Sequence, residues 1–215
     1  MNKFLDLIKE TLKRKSIYRI LMNWAIYENC QDLKGLMIDL GGGEKPSYYN
    51  YWKINPTSFI VVDIDEKKSD IVCDLNKPLP FEDNFADVIF LFNVIYIINK
   101  PENLVKEIHR VLKSDGKFFL CSPFIFNEAK EPHDYFRLTS EGISTILDEA
   151  RFKNYQIIPF GERFTAALFL TEKLVILNIL KIPIRLLALF FDKIYPKKLK
   201  KIHLCPLGYF VKAMK

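Results

Sequence analysis

The chain has little with which to chelate a metal or crosslink itself. Its four cysteines, Cys30, Cys73, Cys121 and Cys205, lie far apart and form no Cys-x-x-Cys pair. That spacing excludes a disulfide framework and predicts reduced thiols in a cytoplasmic protein, with Cys73 and Cys121 inside core strands. His109, His133 and His203 have no metal-ligand spacing, so no metal is expected. The opening Met1-Asn-Lys-Phe-Leu-Asp-Leu-Ile-Lys-Glu breaks its apolar stretch with charges, unlike a signal peptide. No apolar run reaches the ~18 residues that crossing a bilayer requires. Internal repeats and low-complexity segments are absent as well.

What is present suits one α/β core. A chain of 215 residues, about half of it apolar, can bury a full core with attachments. Charge is unevenly spread: residues 1–20 hold six basic and two acidic side chains, and residues 181–215 hold nine and one. The middle carries 17 basic and 23 acidic residues. An acidic centre between basic ends suggests different partners for each, unless the ends are simply well-solvated helices.

Short apolar runs at about Leu36–Leu40, Ser58–Asp63, Asp70–Cys73, Asp87–Phe92 and Lys117–Ser122 predict buried parallel strands. Residues 3–29 show helical spacing, with Gly35 closing that lead-in. Pro101–Lys113 reads as a covering helix, and Ser140 as the N-cap of a helix running through Ala150. Lys153–Phe160 and Tyr209–Met214 predict a last antiparallel pair. The expected fold is α/β, a doubly wound, mostly parallel sheet with ligands above the carboxyl ends of its strands. The boundaries expected are a helical cap over 1–34, a core over 35–160, a helical insertion or lid over 161–205 and a final strand over 206–215. The insertion is too long for a structureless loop and predicts two helices broken near Pro183.

Leu36-Met37-Ile38-Asp39-Leu40 runs into Gly41-Gly42-Gly43, and Ile60-Val61-Val62 ends in Asp63, 20 residues after Gly43. A glycine turn lets backbone N–H groups approach a ligand, and a carboxylate ending the next strand can hold both hydroxyls of a ribose. This is the spacing of a strand–helix–strand nucleoside site. The pattern lacks the sixth-position glycine of hydride cofactors, where Pro46 stands, and the Gly-Lys-Ser/Thr of a P-loop. Asp39 and Glu44 beside the turn repel phosphate but suit a cationic sulfonium.

The central region resembles the class I S-adenosylmethionine-dependent methyltransferases, in particular the methyltransferase type 11 branch. The matching segments are Asp39-Leu-Gly-Gly-Gly-Glu-Lys-Pro46, Val62-Asp63-Ile64-Asp65, Asp70-Ile-Val-Cys-Asp74-Leu75, Leu79-Pro80-Phe81-Glu-Asp83, Glu107-Ile-His-Arg-Val-Leu-Lys113 and Pro132-His-Asp-Tyr-Phe-Arg137-Leu-Thr139. The resemblance covers roughly Gly35 to Phe160, with a closing Pro206-Leu-Gly-Tyr-Phe-Val-Lys212. It implies S-adenosyl-L-methionine as cofactor and seven strands, the last antiparallel. It also implies a set of cofactor contacts: Asp63 on the ribose, Gly41, Gly42 and Gly43 at the methionine end with Asp39, and Asp74 and Leu75 with Ile64 around the adenine. Asp74 is open to a second reading as a loop cap. Asn93 falls above the methyl position.

Many relatives read Glu-His where this chain has Tyr96-Ile97, so a histidine base is missing there. His133, Tyr96 and Asp134 are the catalytic candidates left at the mouth. Asp134, Tyr135 and Arg137 are equally readable as anchors of their loop.

Three functions compete: methyl transfer to a small-molecule, glycan or lipid-linked acceptor, a binding or scaffolding protein that has lost its chemistry, and RNA modification. The basic ends lack the aromatic and glycine interleaving of single-strand binders, which makes nucleic acid the weakest. The insertion, rich in Leu, Ile and Phe beside Lys193, Lys197, Lys198, Lys200 and Lys201, has the composition of an interfacial helix for an anionic membrane surface. Core packing or a dimer interface are its other readings, so the expected location is cytoplasmic or membrane-peripheral.

Overall fold

A computed structural model describes all residues except 45, 131–132, 197 and 200–203. Helix α1 (Lys3–Leu12) starts where the Asn2 side chain accepts from the N–H groups of Phe4 and Leu5, and α2 (Ile17–Asn29) where Ser16 Oγ accepts from Arg19 N–H. Then follow β1 (Gln31–Leu40), β2 (Lys53–Asp63), β3 (Ile71–Val72), β4 (Ala86–Phe92), α3 (Pro101–Val111), β5 (Leu112–Pro123), α4 (Ser140–Glu149) and β6 (Asn154–Phe160). Helices α5 (Arg163–Thr171) and α6 (Asn178–Ile194) precede β7 (Gly208–Met214).

The strands form one seven-stranded sheet in the order β3-β2-β1-β4-β5-β7-β6, parallel except for β7, which runs against both neighbours. The order reverses between β1 and β4, which opens a crevice at their carboxyl ends. Alternate side chains feed two cores. Met37, Val88, Phe90 and Phe92 pack towards α2 and α5, and Ile38, Leu40, Ile89 and Leu91 towards α3 and α4.

Four local expectations need correction. β1 begins at Gln31, ahead of Gly35, which lies inside it at φ +98°, at a register shift. A Cβ there would collide with Asp87, whose carboxylate accepts from Leu36 N–H at 2.7 Å, so the glycine makes room for a strand-to-strand clasp. Second, among the described residues no α-helix links β1 to β2. A single 3₁₀ turn (Ser47–Asn50) stands there, and Tyr48, Tyr49 and Trp52 cover the sheet in the helix's place. The N-cap of α4 is Thr139, whose Oγ1 accepts from Gly142 N–H.

The fourth correction concerns the insertion. Its break falls at 172–177, and Pro183 lies inside α6, which continues through it to Ile194. Glu172 makes the break by turning inward: its carboxylate accepts from Arg185 Nη2 at 2.7 Å and from Ile17 N–H at 3.2 Å. Asp192 of α6 caps α5, accepting from the N–H groups of Phe164 and Thr165. Of the basic residues expected beside the insertion, Lys197, Lys200 and Lys201 lie outside the described residues, as do Lys45, Pro132 and His203.

Candidate functional site

The carboxyl ends of β1–β4 surround a cleft of about 420 Å³. Its wall includes Gly41 after β1, Asp63 and Ile64 at the end of β2, Asp74 and Leu75 after β3, and Asn93 after β4. His133 reaches the rim from the loop after β5. Among the described residues of the wall there is no lysine or arginine, so the charge presented inward is that of Asp63 and Asp74.

The turn is built for close approach. Gly41 sits at φ +74°, its N–H donating to Val62 O at 2.7 Å, and a Cβ there would run into the Val94 side chain. Gly43, at φ +59°, lies beside the Asp63 carboxylate. Gly42 and Gly43 belong to the turn but are not part of the described wall.

Asp39 lies beneath that turn, fully buried, and a Cβ on Gly42 would meet its Oδ2. That same oxygen accepts from the hydroxyls of Tyr48 (2.8 Å) and Tyr49 (2.9 Å). Burial pushes the carboxyl up to about 7, against the pull of the two hydroxyls and with Asp63 adding repulsion. Its Oδ1 has no hydrogen-bond partner among the described residues. An unpaired buried acceptor under a glycine turn is a vacancy for a donor such as an ammonium group.

Asp63 Oδ1 accepts from Asp65 N–H at 3.0 Å. Asp74 lines the cleft and also caps its own loop: Oδ1 accepts from Asn76 N–H and Nδ2, which holds the carboxyl below its usual range. Both readings of Asp74 are thus compatible in one side chain. Ile64 projects 72 % exposed, while Leu75 is buried.

Asn93 adopts φ +58°, a left-handed conformation that few side chains adopt without support. Its N–H donates to Cys121 O at 2.9 Å. Its Oδ1 accepts from the buried Tyr18 hydroxyl at 2.6 Å. Tyr18 also packs edge-on against Phe126, so α2, β4 and the loop after β5 meet at Asn93.

The mouth candidates separate. His133 lines the cleft, is exposed, and lies against the Tyr135 ring at 5.4 Å. Asp134 does not line it: its carboxylate takes Arg137 Nη2 at 2.6 Å and Ala129 N–H at 2.8 Å. The Arg137 guanidinium holds that carboxyl below the usual carboxylate range, which removes the basicity a proton acceptor needs. Tyr96 lies under the same guanidinium, 5.4 Å from its ring centre, and its carbonyl accepts from Tyr135 N–H. The geometry thus assigns Asp134 and Tyr96 to the loop clamp and leaves His133 at the mouth.

Sequence reasoning missed Tyr18, Val94, Ile98, Asn76 and the two tyrosines holding Asp39. Only Tyr48-Tyr49, directly after the glycine turn, carried a local signal. Cys73, expected inside a core strand, instead lines the cleft past the end of the short β3.

Comparison with known proteins bears on the domain and the fold. Residues 39–120 match the model of a methyltransferase domain family. No curated protein sequence matches the chain. Among solved structures, a SAM-dependent methyltransferase from Archaeoglobus fulgidus is similar at TM-score 0.57 and 18 % identity, over 92 % of this chain and 94 % of its own. A Thermotoga maritima SAM-dependent methyltransferase, described as a possible histamine N-methyltransferase, matches over 100 % of both chains at TM-score 0.60 and 12 % identity. Phosphoethanolamine N-methyltransferase 2 of Haemonchus contortus, solved with S-adenosyl-L-methionine, matches over 90 % of this chain and 52 % of its own at TM-score 0.52 and 18 % identity.

Fold, glycine turn and acidic strand ends place the chain in the doubly wound class, whose ligands bind above the carboxyl ends of the strands. Residues 39–120 thus match a methyltransferase domain, and the chain as a whole has the fold of the S-adenosylmethionine-dependent methyltransferases.

Proposed function

We propose that the cleft between β1 and β4 holds S-adenosyl-L-methionine and transfers its methyl group to a small-molecule, glycan or lipid-linked acceptor entering past His133. The observation that carries this reading is the wall itself: Asp63 and Asp74 point their charge inward without a described lysine or arginine. A phosphate-bearing cofactor would be repelled there, and a sulfonium attracted.

In this assignment Asp63 accepts from the ribose hydroxyls, Ile64 and Leu75 flank the adenine, and Asp74 takes its amino group. Gly41, Gly42 and Gly43 supply backbone donors to the methionine end, and Asp39 Oδ1 accepts from its ammonium. When bound, the cofactor supplies a methyl group on a sulfonium, whose departure as a thioether needs no acid. The chain's own work is then orientation and exclusion of water. Asn93, pinned by Tyr18, lies above the transferred methyl. His133 takes the proton when the acceptor is a hydroxyl or protonated amine. Tyr96 and Asp134 act at one remove, through the Arg137 clamp that positions the loop carrying His133.

The test is transfer of labelled methyl into an acceptor found by screening small-molecule, glycan and lipid extracts. His133→Ala should lower turnover by about 10²–10³-fold, within the range of a positioned base, while leaving cofactor affinity unchanged. Full turnover in that variant across pH would remove His133 as the base.

A further inference from the structure

Helix α6 is amphipathic the wrong way round for a helix facing water. Its polar side faces the protein: Arg185 is 1 % exposed and Asp192 8 %, with Ala188 between them. Leu186 and Leu189 also pack inward, but Ile179, Leu180, Leu187, Phe190 and Ile194 are each more than half exposed. Soluble helices place such a stripe on the core and their charges outside.

The helix it packs against shows the same inversion. In α1, Glu10 and Thr11 are buried while Phe4, Leu5 and Leu12 stand in solvent. The two helices are joined from their polar sides, where Arg185 donates to Thr11 Oγ1 at 2.7 Å and to Lys15 O at 2.9 Å. The connection before α6 adds Leu174 and Ile176, among the most exposed apolar side chains described. Isolated exposed leucines need no explanation, but a row along two contacting helices does.

Charge decides what would cover this face. The acids of these helices are turned inward, Glu10 (5 %), Glu172 (5 %) and Asp192 (8 %) among them. The exposed charges on and beside these helices are basic: Lys9 on α1 and Lys13 at its end, the latter paired with Glu10, Lys173 before α6, Lys193 in its last turn and Lys198 beyond it. A second copy docking through the same face about a two-fold axis would bring lysines against lysines. A surface of negative headgroups over hydrocarbon matches both features together. No helix among the described residues is long and apolar enough to cross a membrane, so such a helix would lie in the interface.

We propose that α1 and α6 form a monotopic docking face for an anionic lipid bilayer, with the Ile, Leu and Phe row inserted at the level of the headgroups and the lysines on the lipid charges. Helix α5, which packs against α6, connects this face to the cleft through aromatic contacts. Phe169 of α5 packs on Phe126, and Phe126 on Tyr18, the residue that holds Asn93.

The test is co-sedimentation of the full chain with vesicles of phosphatidylcholine alone and of phosphatidylcholine with phosphatidylglycerol, at low and high salt. The wild type should be retained by the anionic vesicles at low salt, and much less by neutral vesicles or at high salt. Lys173→Gln and Lys193→Gln should each weaken retention about fivefold, the equivalent of about 1 kcal/mol for a lysine at an anionic surface. The double variant Leu187→Asp, Phe190→Asp changes only outward side chains. It should lose vesicle binding yet keep the wild-type melting-temperature rise with S-adenosylhomocysteine, which separates lost docking from lost folding. Absence of retention on anionic vesicles, with or without a stable dimer by light scattering, would overturn the proposal. So would equal retention by neutral vesicles, or full retention of the double variant.

Discussion

At the scale of single residues, Asp39 carries more physical tension than any other group near the cleft. Its carboxyl is raised to about 7 by burial, so between about pH 4 and pH 7 the folded chain holds a proton that the unfolded chain has released. The sign follows directly: the favourable contribution is complete below the unfolded value near 3.8 and is lost as pH rises through about 7. Thermal unfolding followed from pH 4 to 7 should show stability falling by up to about 1.4 kcal/mol per pH unit from this group, and Asp39→Asn should abolish that component. If an ammonium binds beside Oδ1, cofactor binding at neutral pH should release protons. Calorimetry in buffers of different ionisation heats reads that release directly, and none should be seen in Asp39→Asn. Tyr18→Phe tests the other strained point. It removes one hydrogen bond and leaves the Asn93 Oδ1 short of a donor, so chemical denaturation should report a loss of about 1 kcal/mol.

At the scale of elements, periodicity revealed the strands, and glycine and proline misled where they did local work of another kind. Val88 to Phe92 and Phe118 to Leu120 announce themselves because both sheet faces are covered and nearly every residue is apolar. Gly35 looked like the end of a lead-in, and its reason for being glycine is a clasp from Asp87, 52 residues away. Pro183 looked like a helix breaker, but the break is made by Glu172 reaching Arg185 and Ile17. Such contacts join residues far apart in sequence, and no local pattern encodes them. The candidate site divides the same way. Asp63 and the glycines were legible because strand ends have fixed spacing, whereas Tyr18 reaches Asn93 from 75 positions away. The Arg185–Glu172 pair supplies the prediction at this scale. Arg185→Ala strands a buried carboxylate and should cost about 3–5 kcal/mol in denaturant unfolding, and Arg185→Met with Glu172→Leu should recover most of it.

At the scale of the whole molecule, an acidic cofactor cleft and a basic, apolar helical pair occupy one chain, joined through α2 and the loop after β5. The sheet order fixes the cleft, since only where β1 and β4 diverge do the strand ends leave room for a ligand. A native-state ligand there must raise the melting temperature in proportion to its saturation. The central claim is that Asp63 binds the cofactor ribose. It is tested most directly by titration calorimetry of S-adenosylhomocysteine against the wild type and Asp63→Ala. The account predicts saturable binding by the wild type and a loss of about 1.5–3 kcal/mol, roughly 10- to 150-fold in affinity, in the variant. Equal affinity in the two proteins would contradict it.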